Sequence, residues 1–556
     1  MNLSSLGKSA LLNAQNNLQT IGHNINNAAV EGYSRQTVLS QTAGASSTGA
    51  GYIGRGVQAV TVQRAYDGFL SGQLVKAQST GAALVSYGHE IAQVNNLFSD
   101  RTVGINPAIQ NFFDGLNAVA SAPADPAARQ ELLGRAESLV TQLNDANSFL
   151  QNQRQNINTQ LQTTVSQVNS YLERINELNQ QVSAAVASSP QHTPNDLLDQ
   201  RDQLVSELNQ LVDVKVHEQD EVFNLTIGNG QVVLGAGKVF PLKVQPAHGD
   251  PSRSVIAYTS AIVNGEPQMV QLNDSAFKGG QLGGLLQYRE QSLDATQNAL
   301  GRLAIGIADQ INQVHQQGYD LAGNTGIEFF NFKPGTPIPS NKTGVAPGPQ
   351  LSIEFDDTSK LSGSDYLIEY KDDKYMMRTL PNGIAQEIDV SGPVIVDGIS
   401  FSFTESDTAV EGDSWLIQPT RHAAGDISVA IKDPAQVAAS GADTEGNPLG
   451  SANGENALKL AALQTEKTLG NGTLSFNDAF GQIVNKVAVQ AQQNGTSANA
   501  QASLIQQNFA AQQRVAGVNL NEEYLMLDRY VEQFRAASRL IEVSSSMFDT
   551  LLGMRN

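Results

Sequence analysis

The sequence predicts a multidomain α+β protein: a long helical rod made from both chain ends, with β-rich domains inserted between them. Three observations predict it. Apolar seams with alternating steps of three and four residues, the period of a coiled-coil stripe, stand at both extreme ends. They run Leu11, Ala14, Leu18, Ile21, Ile25, Ala28 and Leu520, Tyr524, Leu527, Val531, Phe534, Ser538, Ile541, Ser545, Phe548, Leu552. Long helical patterns carry most of the interior. Two interior stretches alternate with the period of strands. The domains expected are a terminal coiled coil (1–40 with 515–556), a helical rod (41–211, 279–325 and 455–514), a small β-rich insertion (212–278) and a larger one (326–454).

The first helix spans about Met1 to Val30, with Gly32 as a flexible terminator. Residues 44–56 are rich in Gly, Ser, Ala and Thr and read as an exposed, mobile loop. Val57 to Arg64 reads as a short extended segment. A second seam follows: Leu70, Leu74, Ala77, Gly81, Leu84, Gly88, Ile91, Asn95, Phe98. Its small residues allow close approach of another helix, though each Gly weakens its own. Pro107 suits a first helical position. After the break at Ala122–Pro126, a helix of Ala127 to about Ala187 would be roughly 90 Å long if unbroken. Asn195 is placed to cap the next helix, which carries Leu197, Leu198, Leu204, Leu208 and Leu211.

Alternation then takes over, as in Phe223, Leu225, Ile227, with Gly228-Asn229-Gly230 as a hairpin turn. Helix returns from about Gly279 to Gln317. A second β region covers about Gly326 to Ala424, and residues 425–454 read as a mixed linker. From Asn456 the pattern is helical to the end, apart from a break at Leu469–Ser475. The helical segments are continuous in space only if both β regions are insertions hanging off a rod.

Composition bounds the function. The chain has 556 residues, 34 basic against 54 acidic, and a net charge of −20. That balance argues against nucleic acid, whose phosphates need a positive surface, and against anionic membrane. With no cysteine there is no disulfide framework, thiolate metal site or cysteine nucleophile. No apolar run reaches membrane-spanning length, and the first ten residues lack the apolar core of a usual cleavable signal. Export, if it occurs, needs another route. Aromatic residues are 6% and charged residues 16%; Gln, Asn, Ser and Ala fill the helices instead, as suits dense packing among many copies.

Enzymatic readings find little support. None of the seven histidines (His23, His89, His192, His217, His248, His315, His422) stands in a zinc-hydrolase pair. Asp356-Asp357 and Asp372-Asp373 lack the spacing of a calcium loop and read as solvated turn acids. No catalytic, metal-binding or cofactor-binding residue is assigned, and no cofactor is expected.

Ile25-Asn26-Asn27-Ala28 followed by Gly32-Tyr33-Ser34-Arg35-Gln36 resembles the N-terminal signature of bacterial flagellar rod, hook and hook-associated proteins. The Ser-Arg-Gln ending is similar to the hook-associated protein 1 branch. Tyr66–Leu70, Ala122–Arg129, Asn195–Asp202, Gly279–Leu286, Asn521–Leu525 and Tyr530–Ala537 resemble that branch too. Two departures stand out: Val30-Glu31 occupies the family's usual Thr-Pro, and Ala322 replaces a frequent Asn in Asp320–Gly323, where a turn hydrogen bond is at stake.

The resemblance implies a structural subunit of the extracellular hook–filament junction, secreted unfolded through the flagellum's own type III export channel. It implies a ring-like homo-oligomer, the hook protein and a second junction protein contacting the filament as partners, and an export chaperone at the C-terminal region. The expected assembly interface is Leu11, Leu18, Ile21, Ile25, Leu527, Val531, Phe534, Ile541, Phe548 and Leu552. The signature residues are Asn26, Asn27, Gly32, Tyr33, Ser34, Arg35 and Gln36. The alternative is a secreted coiled-coil effector or adhesin of a related export system, which shares the helical ends but not the Gly-Tyr-Ser-Arg-Gln signature.

Overall fold

The structure, a computed structural model, describes residues 3–49, 51–99, 104–219, 222–228, 230–247, 249–263, 266–340 and 349–554. Met1, Asn229 and His248, which figure in the sequence reading, lie outside the described residues.

Helix α1 (Leu3–Asn27) is followed by a β-ribbon of four strands. Strand β1 (Gln36–Thr42) pairs antiparallel with β4 (Val57–Arg64) and lies along α1. The stretch expected to be a loop carries a second hairpin instead, β2 (Ala45–Thr48) with β3 (Gly51–Gly54). Gly44 and Gly56, at φ +79° and +97°, make the jog between the two pairs. Such φ values are cheap only for glycine.

Helix α2 (Gly68–Ser99) follows, capped by the Asp67 carboxylate on the Phe69 and Leu70 amides. Helix α3 (Ile105–Ser121) begins two residues before Pro107. The proline is still tolerated there, because the first four helical N–H groups have no intrahelical partner. Helix α4 (Pro126–Ser188) runs 63 residues without a break, about 95 Å at 1.5 Å per residue. Asp125 caps it and Pro126 takes its first position. Helix α5 (Asn195–Leu211) starts at Asn195, so that residue is not its cap; the Asn195 amide instead donates to Val62 O at 2.9 Å.

The small insertion has two antiparallel sheets. One holds β5 (Val214–Gln219), β6 (Val222–Ile227), β7 (Gln231–Gly235) and β8 (Lys238–Val239) in sequence order. The other has β10 (Ser254–Val263) between β9 (Leu242–Pro246) and β11 (Glu266–Gln271). Helix α6 (Gly280–Tyr288) passes through a π-helical turn (Arg289–Leu293) into α7 (Asp294–His315). A Cβ on Gly284 would meet Ala83 O at 2.2 Å, so α6 lies directly on the α2 backbone.

The larger insertion opens with β12 (Phe330–Asn331). Its five-stranded sheet is ordered β13 (Ile338–Ser340), β20 (Ser414–Ile417), β15 (Asp365–Lys371), β16 (Lys374–Leu380), β17 (Gln386–Ile388). A three-stranded sheet has β19 (Ile399–Thr404) between β14 (Gln350–Phe355) and β18 (Val394–Val396). After the short α8 (Ala423–Asp426), β21 (Ser428–Val429) returns to pair with β12.

Residues expected as a mixed linker are core instead. Ile427, Ile431, Val437 and Ala439 are buried in the main hydrophobic cluster, with Phe112, Leu143 and Ile307. Arg129 fixes this stretch, donating to Val437 O at 2.6 Å and Pro123 O at 2.5 Å. The Asp320 turn closes despite Ala322, because Asp320 Oδ1 accepts from the Ala322 and Asn324 amides, both at 2.8 Å.

Helix α9 (Glu455–Ala462) leads to α10 (Phe476–Ala516), which begins with a Ser475–Asp478 capping box. The α2 seam meets α10, and a Cβ on Gly81 would sit 2.8 Å from Ile505 Cδ1. An unexpected break at Gly517–Asn519 separates α10 from α11 (Leu520–Gly553). Asn519 caps α11 through the Asn521 amide, at 3.1 Å.

Both insertions are tied to the rod at one buried ionic cluster. Asp294 lies 2.6 Å from Arg154 on α4, 2.9 Å from Arg253 of the small insertion and 3.1 Å from Arg421 of the larger. Burial opposes its charge, but Arg421, Arg154 and Arg253 hold the carboxyl well below the usual carboxylate range.

Candidate assembly interface

Helices α1 and α11 form an antiparallel pair: Gly7 lies against Ile541 and Ala537, and Asn24 meets Glu523. The inner positions on α1 are Gly7, Ala14, Asn17, Ile21 and Asn24. On α11 they are Glu523, Ala537 and Ser544. Small side chains let the helices approach closely; a Cβ on Gly7 would stand 2.8 Å from Ile541 Cγ1.

Part of the predicted seam lies within this pair: Ala14 and Ile21 are buried, and Ile541 meets Gly7. Leu11, Leu18 and Ile25 are half-buried. Leu527, Val531, Phe534 and Ile541 are half-buried, and Phe548 and Leu552 are 57% and 50% exposed. With Gly7 opposite Ile541, α11 runs about two turns past Leu3, and Met547, Phe548, Leu551 and Leu552 stand on that overhang. The amphipathic period was legible in sequence, but apolar residues alone do not say which stripe faces inward. The overlooked signal is Gly7, Asn17 and Asn24, small and amide residues that share the buried positions with Ala14 and Ile21 of the seam.

The signature segment forms the joint between this pair and the rod. Asn24, 1% exposed, sits at its centre. Its Oδ1 accepts from Tyr33 OH at 2.8 Å and Gln36 N at 2.9 Å; its Nδ2 donates to Gln36 O at 2.9 Å and Glu523 Oε2 at 3.1 Å. Gly32, at φ +80°, turns the chain where a Cβ would meet the Gln203 side chain at 2.9 Å. With Gly32 making the exit turn, Val30-Glu31 serves in place of Thr-Pro.

Beyond the turn each signature residue takes a partner. The Ser34 amide donates to Asp199 at 2.8 Å, and Gln36 Nε2 to Asp196 at 2.7 Å. Arg35 lies 3.1 Å from Glu522 and 2.8 Å from Glu523. Asn27 donates back to His23 O at 2.9 Å, while Asn26 is exposed. Arg64 holds Asp199 at 2.8 Å and Asp202 at 2.7 Å. Burial, then the charges of Asp196, Asp199 and Glu523, push the Tyr33 phenol upward, so it stays a neutral donor.

Three motifs far apart in sequence, 32–36, 195–202 and 521–525, thus converge on one polar joint. Asn24 and Arg64, which complete it, were not singled out in the sequence. Elsewhere the candidate acids have structural roles. Asp357 caps a 3-10 turn, and Asp372 and Asp373 hold the left-handed φ of the β15–β16 turn. Among the described residues no cluster of three His, Asp or Glu is placed to hold a metal ion, and no helix is long and apolar enough to cross a membrane.

A helical rod with paired chain ends, inserted β regions and this signature joint defines an axial structural protein of the bacterial flagellum. The chain belongs to the flagellar hook-associated protein 1 family. It is 35% identical over 554 residues to flagellar hook-associated protein 1 of Salmonella typhimurium, covering 98% of each chain. It is 34% identical to the Escherichia coli K12 protein of that name, again over 98% of each. Residues 91–330 match the model of the flagellar hook-associated protein FlgK helical domain. The solved structure of the flagellar hook junction protein FlgK from Burkholderia pseudomallei superposes with a TM-score of 0.73 at 28% identity. That match covers 80% of this chain and 100% of the other.

Proposed function

We propose that this chain is the non-enzymatic subunit that joins the flagellar hook to the filament. It works as a ring-like homo-oligomer between the hook protein and a second junction protein, after export with a chaperone at its C-terminal region. The single observation that carries the reading is the α1–α11 pair: it buries few apolar side chains and leaves Leu540, Val543, Phe548 and Leu552 on the outside of α11. Exposed apolar stripes of this kind mark contact surfaces.

The proposed division of labour follows the domains read from sequence. The termini (1–40 with 515–556) hold the assembly and the rod sets its length. The insertions at 212–278 and 326–454 hang outside. The effector or adhesin alternative accounts for the helical ends but not for the signature joint. Electron microscopy of a deletion strain tests the reading. Hooks without filaments, restored by the gene in trans, are expected; full filaments on deleted cells overturn it.

A further inference from the structure

The β-ribbon ends in a knob whose β3 residues, Gly51 to Gly54, are all exposed. Strands β1 and β4 are backed by α1, but β2 and β3 extend past it: Ser40 meets Asn13, and Gly56 already reaches Leu6 and Ser9. On β3, Tyr52 is 81% exposed and Ile53 48%. Arg55, also exposed, donates to Ser46 at 2.7 Å and stands beside them. A two-stranded hairpin without a layer against it is marginally stable in water.

A groove of about 570 Å³ lies at the opposite end of the terminal unit, beside Gly32–Ser34, between α2, α5, the β5–β6 strands and α10. Its walls include Tyr66, Val216 and Phe509, all more than a third exposed. It is acidic, lined by five carboxylates against two lysines. Asp199 and Asp202 are held by Arg64, Asp213 by Lys76, and Glu218 lies 3.6 Å from Arg201, while Glu31 faces solvent.

Charge matches the two features. Residues 1–66 hold four basic side chains (Lys8, Arg35, Arg55, Arg64) and one acid, Glu31, in a chain whose net charge is −20. An apolar knob flanked by Arg55 fits a groove with apolar walls and the exposed Glu31 carboxylate at its rim. The knob cannot fill its own groove. From Asn24 at the joint to Leu6 near the ribbon's far end is about 27 Å of helix.

We propose that the ribbon tip, Tyr52 and Ile53 with Arg55, docks in the acidic groove of a second copy of this chain. The contact is head-to-tail, of the kind that closes into a ring or continues as a helix. It rests on the reading of the chain as an assembling flagellar subunit.

Cysteine trapping tests it without background, since the chain has no cysteine. Ser47, which pairs with Tyr52 across the ribbon, and Ser71, which lines the groove, are changed together as Ser47→Cys and Ser71→Cys. Oxidation of flagella isolated from cells carrying this chain should give a thiol-reversible ladder of dimers, trimers and higher species, and neither single variant should. Adding Arg55→Glu should cut the ladder at least tenfold, and adding Arg55→Lys should preserve it. A double-cysteine chain incorporated at wild-type level but monomeric after oxidation overturns the docking and leaves the junction reading standing. Absence of the unaltered chain from isolated flagella would instead overturn the junction reading.

Discussion

The rod and the terminal pair are both helical, yet different forces hold them. Around α3 and α4, Phe112, Phe113, Leu132, Leu143 and Leu161 are all fully or almost fully buried in one continuous cluster. Among the described residues, neither hydrophobic cluster contains a residue of 3–67 or 517–554. The terminal pair is joined by glycine contacts and the Asn24–Glu523 bond, and meets the rod through carboxylates, amides and arginines. Apolar burial supplies most folding free energy, at about 25 cal/mol per Å². The rod's apolar core is therefore complete within the chain, whereas the pair leaves Leu540, Val543 and Phe548 exposed.

The sharpest way to break this contrast is a charge on the half-buried stripe of α11 that runs beside Ala537 and Ser544. Phe534→Asp or Ile541→Asp should abolish filament attachment, because a carboxylate without a partner costs several kcal/mol in every copy. The main thermal transition of the soluble monomer should not move. Normal filaments would place the seam in solvent; loss of the main transition would make it monomer core. Secreted amounts are measured alongside.

Amide exchange on the monomer sharpens the same point. Amides of α1 and α11 should exchange orders of magnitude faster than those of α4 between Leu132 and Leu172, because isolated helices are marginal in water and local opening there costs little. Equal protection in both regions would refute the difference.

A mutation in the rod should give the converse. Phe112 is fully buried with ring centroids 5.4 Å from Phe113 and 5.8 Å from Phe329. Phe112→Ala should cost about 3–5 kcal/mol in denaturant unfolding of the main transition, whereas Ile21→Ala should leave that transition in place.

The smallest expected effect is pH-dependent. His315 is buried, accepts from Ala438 N at 2.8 Å and lies 2.6 Å from Ile327 O through Nδ1. Burial pushes it down from 6.5 to about 4. Between those values the unfolded chain binds a proton that the folded chain does not. Its stability is thus intact above about 6.5 and falls as pH drops toward 4, by up to about 1.4 kcal/mol per unit. Unfolding curves at several pH values should show that slope in wild type and lose it in His315→Gln.

Much of this was legible in the chain itself. The steps of seven, four, seven and eleven residues from Leu132 through Leu139, Leu143 and Leu150 to Leu161 keep one helix face apolar, and the alternation of Phe223, Leu225 and Ile227 marks a strand. Local periodicity suffices because each pattern buries one face of one element. Residues 425–454 are not legible as core because their buried residues, Ile427, Ile431, Val437 and Ala439, follow no period. They fill gaps between elements already in place.

By itself the sequence determined the rod, the two inserted β regions, the helical ends and the signature that carries the family resemblance. These depend on local periodicity, caps and short motifs. Only the tertiary structure decided that Gly7 and Asn24 meet α11 while Leu11, Leu18 and Ile25 are half-buried. It also decided that Ser34, Gln36, Arg64, Asp196, Asp199 and Glu523 form one joint. Which stripe of an amphipathic helix turns inward depends on how closely its partner can approach. Polar side chains hundreds of residues apart show no shared pattern until the fold sets them within hydrogen-bond distance.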